Sequence, residues 1–525
     1  RSNRFGVAAK LKLDTPSGVQ VRQMMPMTGF LSCNEPVVHF GLGSHKRVDR
    51  LVVHWPSGHR QEISAPDINQ ALTITEPDFS PDSIDGNVAE TRPNESMLRT
   101  DANFPVVKHR ELPYDDFSRQ PLLPHRHSQL GPGLAVGDVD GDGDEDVFVG
   151  GAAEQAGTLL IAESGQYVAA PEGPWNEDAV CEDMGVLFFD VDGDGDLDLY
   201  VVSGSVECEP DSELLADRLY INDGRGKFFK SAKEQLHAPR ASGSAVAAAD
   251  YDRDGDVDLF VGARVIPGQY PLAPRSSLLE NNGGQLRDVA ADVAPDLPAT
   301  GMVTGALWSD ADGDGWLDLF VAHEWGPVKF YHNQRGKLVE RTKRAGLADV
   351  LGWFNGISCG DIDNDGDTDY VVTNFGLNTK YHASHEKPAL LYYGDFERSG
   401  RMRLVEAEFE DETLFPMRGK SCSSRAMPFL RDKFTTYRKF ASAALSGIYS
   451  EECLETAHRF VATELAAGVL INDGNAKFEF RPLPRLAQIS PSFGSVLTDA
   501  DGDGNLDVLL AHNFYSPQWE TGRMD

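Results

Sequence analysis

Short apolar runs, each set off by a polar turn, recur along most of this chain. VFVG, LYVV, LFVG, LFVA, YVVT and VLLA follow one after another, and each is entered from an acidic, Gly-containing segment. Runs of this length bounded by turn residues predict strands rather than helices. Between them lie paired runs around Asn/Gly-rich turns: LYINDGRGKF at 219–228, LLENNGGQL at 278–286, KFYHNQRGKL at 329–338 and GVLINDGNAKF at 468–478. Each predicts a hairpin. Helical spacing is confined to 426–467, where Phe429, Leu430, Phe434, Tyr437 and Phe440, then Ala444, Leu445 and Ile448, recur at three- and four-residue steps. That stretch predicts a helical insertion at about 411–467. Residues 1–76 alternate in short runs (FGVAAKLKL, VQVRQM, VVHFGLG, VDRLVVHWPSG, ALTITEP) and predict a separate all-β module of five or six strands. The polar, acidic, Pro-containing residues 77–104 read as a linker, and 105–525 as the repeat body.

The segments that enter the apolar runs are six copies of one pattern, Asp-x-Asp-x-Asp-Gly-x-x-Asp, starting at Asp138, Asp190, Asp250, Asp310, Asp361 and Asp499. Carboxylates at alternate positions around a Gly-forced turn suit a hard divalent cation. In such a loop positions 1, 3 and 5 face inward, position 7 offers its carbonyl, and position 9 closes the shell. Calcium takes six to eight oxygen ligands at about 2.3–2.6 Å in irregular geometry, whereas magnesium demands a strict octahedron. The pattern holds no nitrogen or sulfur donors, which argues against zinc and copper. Gly143, Gly195, Gly255, Gly315, Gly366 and Gly504 occupy position 6, where the chain doubles back. A solvated acidic turn explains one such copy, but not six at the same spacing. Successive copies start 52, 60, 60, 51 and 138 residues apart, a period that indicates a propeller or another repeat array.

With its following strand, this pattern resembles the FG-GAP and VCBS repeats of integrin-α-type β-propellers. The resemblance implies six calcium ions. The first would be held by Asp138, Asp140, Asp142, the carbonyl of Asp144, and Asp146, and the second by Asp190, Asp192, Asp194, Asp196 and Asp198. The third set is Asp250, Asp252, Asp254, Asp256 and Asp258, and the fourth Asp310, Asp312, Asp314, Trp316 (through its carbonyl) and Asp318. Asp361, Asp363, Asp365, Asp367 and Asp369 form the fifth set, and Asp499, Asp501, Asp503, Asn505 and Asp507 the sixth. The hairpin at 468–478 has no acidic pattern before it, so the long interval reads as a blade that has lost its metal loop. Six blades and that one give the seven of an integrin-type propeller, with the last cut short at residue 525. The expected fold class is therefore all-β: a seven-bladed calcium-binding propeller after a small sandwich- or barrel-like module.

GFLSCNEPVVHFGLG followed by VDRLVVHWPSGHRQEI resembles the ASPIC/UnbV domain, which accompanies such repeats in the cartilage acidic protein family. His39, Phe40, Gly41, Leu42, Gly43, Val48, Trp55, Pro56, Ser57 and Gly58 carry the likeness. Pro56-Ser57-Gly58 is a hairpin turn in its own right, and His39 reads as a structural strand residue. In the family this domain usually follows a propeller. Its place at the start of a chain that begins at Arg1 suggests a bacterial fragment of a longer protein.

Charge narrows the partners. With 48 Lys and Arg against 82 Asp and Glu the formal charge is −34, which disfavours nucleic acid and anionic membranes. Six calcium ions would offset about a third of it. No apolar run reaches the roughly 18 residues of a membrane span. Weak calcium sites fill outside the cytosol, so an extracellular, periplasmic or cell-envelope address is expected. The six cysteines permit this; Cys181 and Cys208 flank one strand and are candidates for a disulfide, and Cys359 reads as a buried strand thiol. A basic island at 418–439 suits an anionic ligand or glycan acid, or, as the favoured reading, the docking face of the helical insert, and SCSSR at 421–425 reads as a Ser-rich helix entry. Two functions remain. One is a secreted scaffold binding a protein or glycan through the loops GPG 131–133, CEDMG 181–185, ASGS 241–244, TGMVTG 300–305, GWFNG 352–356 and SPSFG 490–494. The other is a polysaccharide hydrolase or lyase with its site in the propeller channel, for which Glu182, Asp183, His323 and Glu324 show no demanding spacing. Trp308, Trp325 and Trp353 suit sugar stacking or blade packing. Binding is the favoured reading, with no catalytic residue assigned.

Overall fold

A computed structural model of the chain describes residues 9–16, 18–23, 27–29, 32–33, 38, 40–42, 46–55, 59–70, 72–77, 105–500 and 505–512. The chain divides into two compact units, Arg1–Ser96 and Met97–Asp525. His39, Gly43, Pro56, Ser57, Gly58, Asp501, Asp503, Gly504 and nearly all of the expected linker lie outside the described residues.

In the first unit the alternating runs form an antiparallel sheet, ordered Gly18–Gln23, Lys10–Thr15, Arg50–His54 and Arg60–Ser64. Leu13, Val48, Leu51 and Val53 are buried together beneath Phe40, Leu42 and Trp55. A second hairpin pairs Met27–Gly29 with Ser32–Cys33.

The second unit repeats one device. In each sheet an inner strand leads into an acidic loop, the loop into a buried second strand, and a hairpin supplies the third and fourth. The first sheet runs Leu134–Gly137, Asp146–Val149, Thr158–Glu163 and Gln166–Ala169; the second runs Asp183–Phe189, Asp198–Ser203, Arg218–Asn222 and Phe228–Lys230. Gly243–Ala249, Asp258–Ala263, Ser277–Asn281 and Leu286–Asp288 form the third, extended by Leu236–His237. The fourth holds Val303–Ser309, Asp318–Gly326, Lys329–Asn333 and Leu338–Glu340. The inner strands of the six acidic-loop sheets neighbour one another in chain order. Between sheets the packing is aromatic and aliphatic: Phe320, Phe330, Tyr370 and Phe478 interlock between the fourth and fifth, and Phe148, Trp175 and Tyr220 between the first and second. The arrangement is propeller-like and all-β in its repeat body.

The fifth sheet corrects two expectations. It is built from Gly356–Gly360, Asp369–Thr373, Gly468–Asn472 and Phe478–Pro482. The hairpin at 468–478 therefore completes the sheet of the Asp361 loop and is not a seventh blade without a metal loop. Among the described residues six sheets carry an acidic loop, and the sixth shows two strands, Ser492–Thr498 and Asp507–His512. What separates the halves of the fifth sheet is a folded insertion larger than expected. It contains an antiparallel sheet of Thr413–Pro416, Arg403–Glu410, Ala389–Gly394 and His458–Ala462, and helices between Lys420 and Thr456 of five to seven residues each. Pro428, the Thr436 cap and Ser450 at φ 66° interrupt what the periodicity suggested was longer helix. The apolar spacing still marks packing: Leu430, Phe434, Phe440, Leu445 and Ile448 are buried, while Tyr437 is exposed.

The insertion sheet uses its two faces separately, as alternation along a strand requires. Leu390, Tyr392, Val405 and Ala407 receive the helices. Leu391, Tyr393 and Leu404 face a second core with Trp325, Trp353, Phe375 and Tyr381. That core lies at the ends of the second strands, away from the acidic loops. Trp353 is 1% exposed, stacks on Phe375 at 4.4 Å between centroids and packs tilted against Trp325 at 4.8 Å; packing is its role. Of the basic island, Arg418 is the buried member, pairing with Glu406 at 2.6 Å and donating to the Leu123 carbonyl. SCSSR lies within the helix Lys420–Ala426 with Ser423 and Ser424 buried. Cys181 and Cys208 are both free thiols, and Cys359 is exposed on its strand, not buried. Residues 105–133 contribute a short helix, Asp116–Arg119, and irregular chain.

Candidate metal centres

Each acidic loop is shaped by its own backbone. The N–H at position 6 donates to the position 1 carboxylate: Gly143 to Asp138 (2.9 Å), Gly195 to Asp190 (3.0 Å), Gly255 to Asp250 (3.2 Å), Gly315 to Asp310 (2.8 Å) and Gly366 to Asp361 (3.1 Å). These glycines sit at φ of 87° to 102°, where a Cβ would strain the turn. The N–H at position 7 donates to position 5, as from Asp144 to Asp142 and from Trp316 to Asp314. The turn gathers the side chains. One oxygen each from Asp190, Asp192 and Asp194 lies within 4.8 Å of the others, and the same holds for Asp250, Asp252 and Asp254 and for Asp310, Asp312 and Asp314. In the first loop the trio is Asp138, Asp140 and Asp146.

Two features make these loops candidate cation sites. Asp250 Oδ1 and Asp310 Oδ1 are buried without a hydrogen-bond partner, an arrangement that costs about 1–3 kcal/mol per group when nothing compensates it. Burial, and then neighbouring carboxylates, raise Asp140, Asp192, Asp252 and Asp363 from the ordinary Asp range. A divalent cation relieves both.

Position 9 is doubly engaged. Its Oδ2 accepts the position 2 N–H of its own loop: Val139 to Asp146, Val191 to Asp198, Tyr251 to Asp258, Ala311 to Asp318 and Ile362 to Asp369. Its Oδ1 accepts a backbone N–H from the third strand, from Asn222 to Asp198, Asn281 to Asp258, Asn333 to Asp318 and Asn472 to Asp369. Burial is the first cause that pushes Asp198 up to about 6 and Asp258 and Asp318 to about 7, and these N–H groups hold them down in part. Each oxygen keeps a further lone pair for an ion, except Asp318 Oδ1, which also takes a hydrogen bond from His332 Nδ1.

The third-strand asparagines were legible only as turn residues, yet they link the sheets. Asn222 Nδ2 donates to the Val139 carbonyl of the preceding loop at 2.7 Å and to Leu197 of its own at 3.0 Å. Asn281 repeats this with Val191 and Val257, Asn333 with Tyr251 and Leu317, and Asn472 with Ala311 and Thr368. Every receiving carbonyl in the preceding sheet belongs to position 2 of an acidic loop. In the first sheet the matching residue is Ala162, whose N–H reaches Asp146 but which has no amide to extend. The recurrent Asn before each hairpin turn was the available signal.

The fourth loop carries two additions. His332, buried at 8% exposure, lies with Nδ1 3.1 Å from Asp318 Oδ1 and 3.5 Å from Asp312 Oδ2. Arg253, from position 4 of the third loop, donates to the Gly315 carbonyl and places its guanidinium 4.4 Å from the Trp316 ring centroid.

The other end of the sheets holds the remaining candidates. Glu324 is fully buried and bonded to Arg264 (2.9 Å) and Tyr270 (2.6 Å); against the cost of burial, His125 first, then Arg264 and His127, pull it down to about 2. His323 is held neutral by burial, its value lowered to about 3, with Thr300 and the Pro327 carbonyl on its nitrogens. Asp183 pairs with Arg218 at 2.8 Å. Glu182 is different: it is 3% exposed, neither oxygen has a hydrogen-bond partner in good geometry, and burial with the charge of Glu111 pushes it up to about 9. Where the insertion meets the third and fourth sheets, a cleft of about 780 Å³ opens, lined by Pro271, Leu272, Thr300, Trp325, Pro327 and Phe460 among others. Trp308 lies apart from it, stacked on Tyr251. No helix among the described residues is long and apolar enough to cross a membrane.

Comparison with known proteins places these features. Residues 1–81 match the sequence model described as ASPIC and UnbV, and residues 138–201, 190–261 and 310–372 match that of the FG-GAP-like repeat. The chain is 25% identical over 446 residues to cartilage acidic protein 1 of Mus musculus, covering 79% of this chain and 61% of that protein. To the Homo sapiens protein of the same name it is 24% identical over 449 residues, covering 80% and 60%. It thus spans about three fifths of the length of the curated relatives it matches. The crystal structure of the V. cholerae biofilm matrix protein Bap1 aligns over 74% of this chain and 78% of its own, at 13% identity and a TM-score of 0.30, too slight a likeness to argue from.

Proposed function

We propose that this chain, an ASPIC and UnbV domain joined to FG-GAP-like repeats and similar to cartilage acidic protein 1, is a calcium-stabilised scaffold that binds a protein or glycan outside the cytoplasm. The observation that carries the metal reading is the pair of buried, unpartnered oxygens, Asp250 Oδ1 and Asp310 Oδ1, each inside a converging carboxylate trio. An all-oxygen trio in a flexible loop suits calcium. The ions would be held by positions 1, 3, 5 and 9 of each loop with the position 7 carbonyl, six ions in all. When bound, calcium neutralises the loop carboxylates. The chain's own residues then fix the turn and tie each loop to the next sheet.

Ligand binding belongs at the opposite end. The cleft between the insertion and the third and fourth sheets has the volume of a small-molecule or side-chain pocket, about 300–1,000 Å³. Similarity to a cartilage protein supports an extracellular address. Calcium stoichiometry by equilibrium dialysis tests the metal reading, with about six ions expected and none refuting it. A glycan and matrix-protein binding screen, with and without EGTA, tests the scaffold reading.

Glu182 favours a second reading, a polysaccharide-active enzyme, because a buried carboxyl kept protonated at neutral pH is the state of a general acid. A polysaccharide-degradation assay distinguishes the two: product release lost in Glu182→Gln would replace the scaffold with an enzyme.

A further inference from the structure

The fourth acidic loop departs from its neighbours in the kind of donor that reaches it. The third-strand position before the clasping Asn is Ile221 in the second sheet, Glu280 in the third and Ile471 in the fifth. In the fourth it is His332. Pairing of Lys329–Asn333 with Asp318–Gly326 sets this residue beside the loop's position 9. The imidazole is buried, and Nδ1 lies 3.1 Å from Asp318 Oδ1 and 3.5 Å from Asp312 Oδ2. One donor atom from each of the three residues falls within 4.8 Å of the others. Donors bonded to one zinc-sized ion at about 2.0–2.2 Å and near-tetrahedral angles are themselves separated by about 3.3–3.6 Å. The two spacings at His332 lie close to that edge length, the shorter being the hydrogen bond that the pair makes without an ion.

Three further observations bear on this loop. Asp310 Oδ1, in its first position, is buried without a partner, as Asp250 Oδ1 is in the third loop, and marks a cation of either kind. Position 7 carries Trp316 in place of the Asp found in the first, second, third and fifth loops, so one carboxylate is missing. Arg253 adds a positive charge against Trp316 and Gly315. Fewer carboxylates and a nearby guanidinium weaken the pull on a hard, oxygen-seeking ion. An imidazole nitrogen with two carboxylates suits the borderline divalent metals.

We propose that the fourth loop, which fills with calcium when that is the cation offered, prefers a transition metal of the zinc class, with Asp312, Asp318 and His332 as protein ligands. The assignment rests on the cation reading of the loop carboxylates, but it does not require that the cation elsewhere be calcium.

Cobalt is the probe, because a four-coordinate site gives it intense visible d–d bands that the hydrated octahedral ion lacks. The full chain is first saturated with millimolar calcium and then titrated with Co²⁺. We expect about one equivalent of Co²⁺ to be retained against calcium, with a visible band, and to be displaced by zinc. His332→Gln should weaken Co²⁺ retention at least tenfold while calcium uptake by the other loops stays unchanged. His332→Asn provides a second variant, and the circular dichroism melt of each confirms folding. Absence of Co²⁺ uptake beside bound calcium, or uptake equal in wild type and both folded variants, would overturn the proposal and leave the calcium reading intact. Co²⁺ uptake through His332 in a protein that takes up no calcium would do the reverse.

Discussion

Replacing Asn281 with Ala tests whether the sheets are linked as the hydrogen bonds imply. The side chain is 1% exposed. Its Nδ2 donates to Val191 of the preceding loop at 2.8 Å and to Val257 at 3.2 Å, and its Oδ1 accepts from Gly284 at 3.0 Å. The backbone N–H that holds Asp258 survives the substitution. Ala therefore strands two carbonyls in a dry seam and frees the buried Gly284 N–H. At about 1–3 kcal/mol for each buried polar group left unpaired, the loss is about 3–9 kcal/mol. An unfolding entropy of about 2.1 cal/mol/K per residue, over a unit of roughly 400 residues, means that ~1 kcal/mol moves Tm by ~1 °C. The expected drop in a calorimetric scan is therefore about 4–11 °C. Because Val191 is position 2 of the second loop, calcium affinity there should fall, while the neighbouring third loop, where Asn281 still donates its N–H, should change less. A Tm within 1 °C of wild type together with an unchanged calcium isotherm would show that the amide contacts carry no coupling.

Other outcomes follow from the same structure. Asp252→Ala should lower Tm in calcium yet leave the EGTA-treated protein nearly unchanged, since its raised titration reflects burial, and then repulsion from Asp254, that the ion relieves; equal loss in both conditions would remove Asp252 from the third site. Glu182 titrates at about 9 when folded against an ordinary 4.5, so the stability it supports is fully present below pH 4.5 and is lost as pH rises toward 9. Glu182→Gln should flatten that decline in melts at pH 5, 7 and 9, and parallel curves would contradict the assignment. Trp353→Ala should cost about 3–5 kcal/mol and speed proteolysis within 374–467, because Trp353 lies in the core shared with the insertion; unchanged cleavage would mean the insertion is held elsewhere.

Much of this was legible because the acidic pattern fixes local geometry by itself. Gly at position 6 and Asp at positions 1 and 5 dictate the turn, and the buried run after each loop could only be a strand. All four hairpins fall where the Asn/Gly turns put them. The sequence was silent where partners lie far apart. Nothing local in GVLINDGNAKF says that Tyr370 pairs with Leu470, so the hairpin was assigned to a blade of its own. The spacing of Phe429 to Ile448 reported burial correctly but not continuity, since Pro428 and Ser450 interrupt it. Cys181 and Cys208 flank one strand in sequence without meeting. His332 was readable only by aligning the third strands, where Tyr-His-Asn stands against Tyr-Ile-Asn and Leu-Ile-Asn.

The split fifth sheet also sets a timetable for synthesis. In the second, third and fourth sheets the clasping Asn follows its position 9 Asp by 24, 23 and 15 residues, whereas Asn472 follows Asp369 by 103. A ribosome adding about 5–20 residues per second leaves the strand Asp369–Thr373, buried throughout in the finished protein, without its outer neighbour for roughly 5–20 s. An unpaired apolar edge of that kind is a template for wrong pairing. The insertion has its own core of Leu390, Val405, Met427 and Ile448, so it can fold during that interval and bring its two ends together. Slow decoding or destabilising changes within 374–467 should then appear first as aggregation of the nascent chain, well before they alter the loops that face the ions.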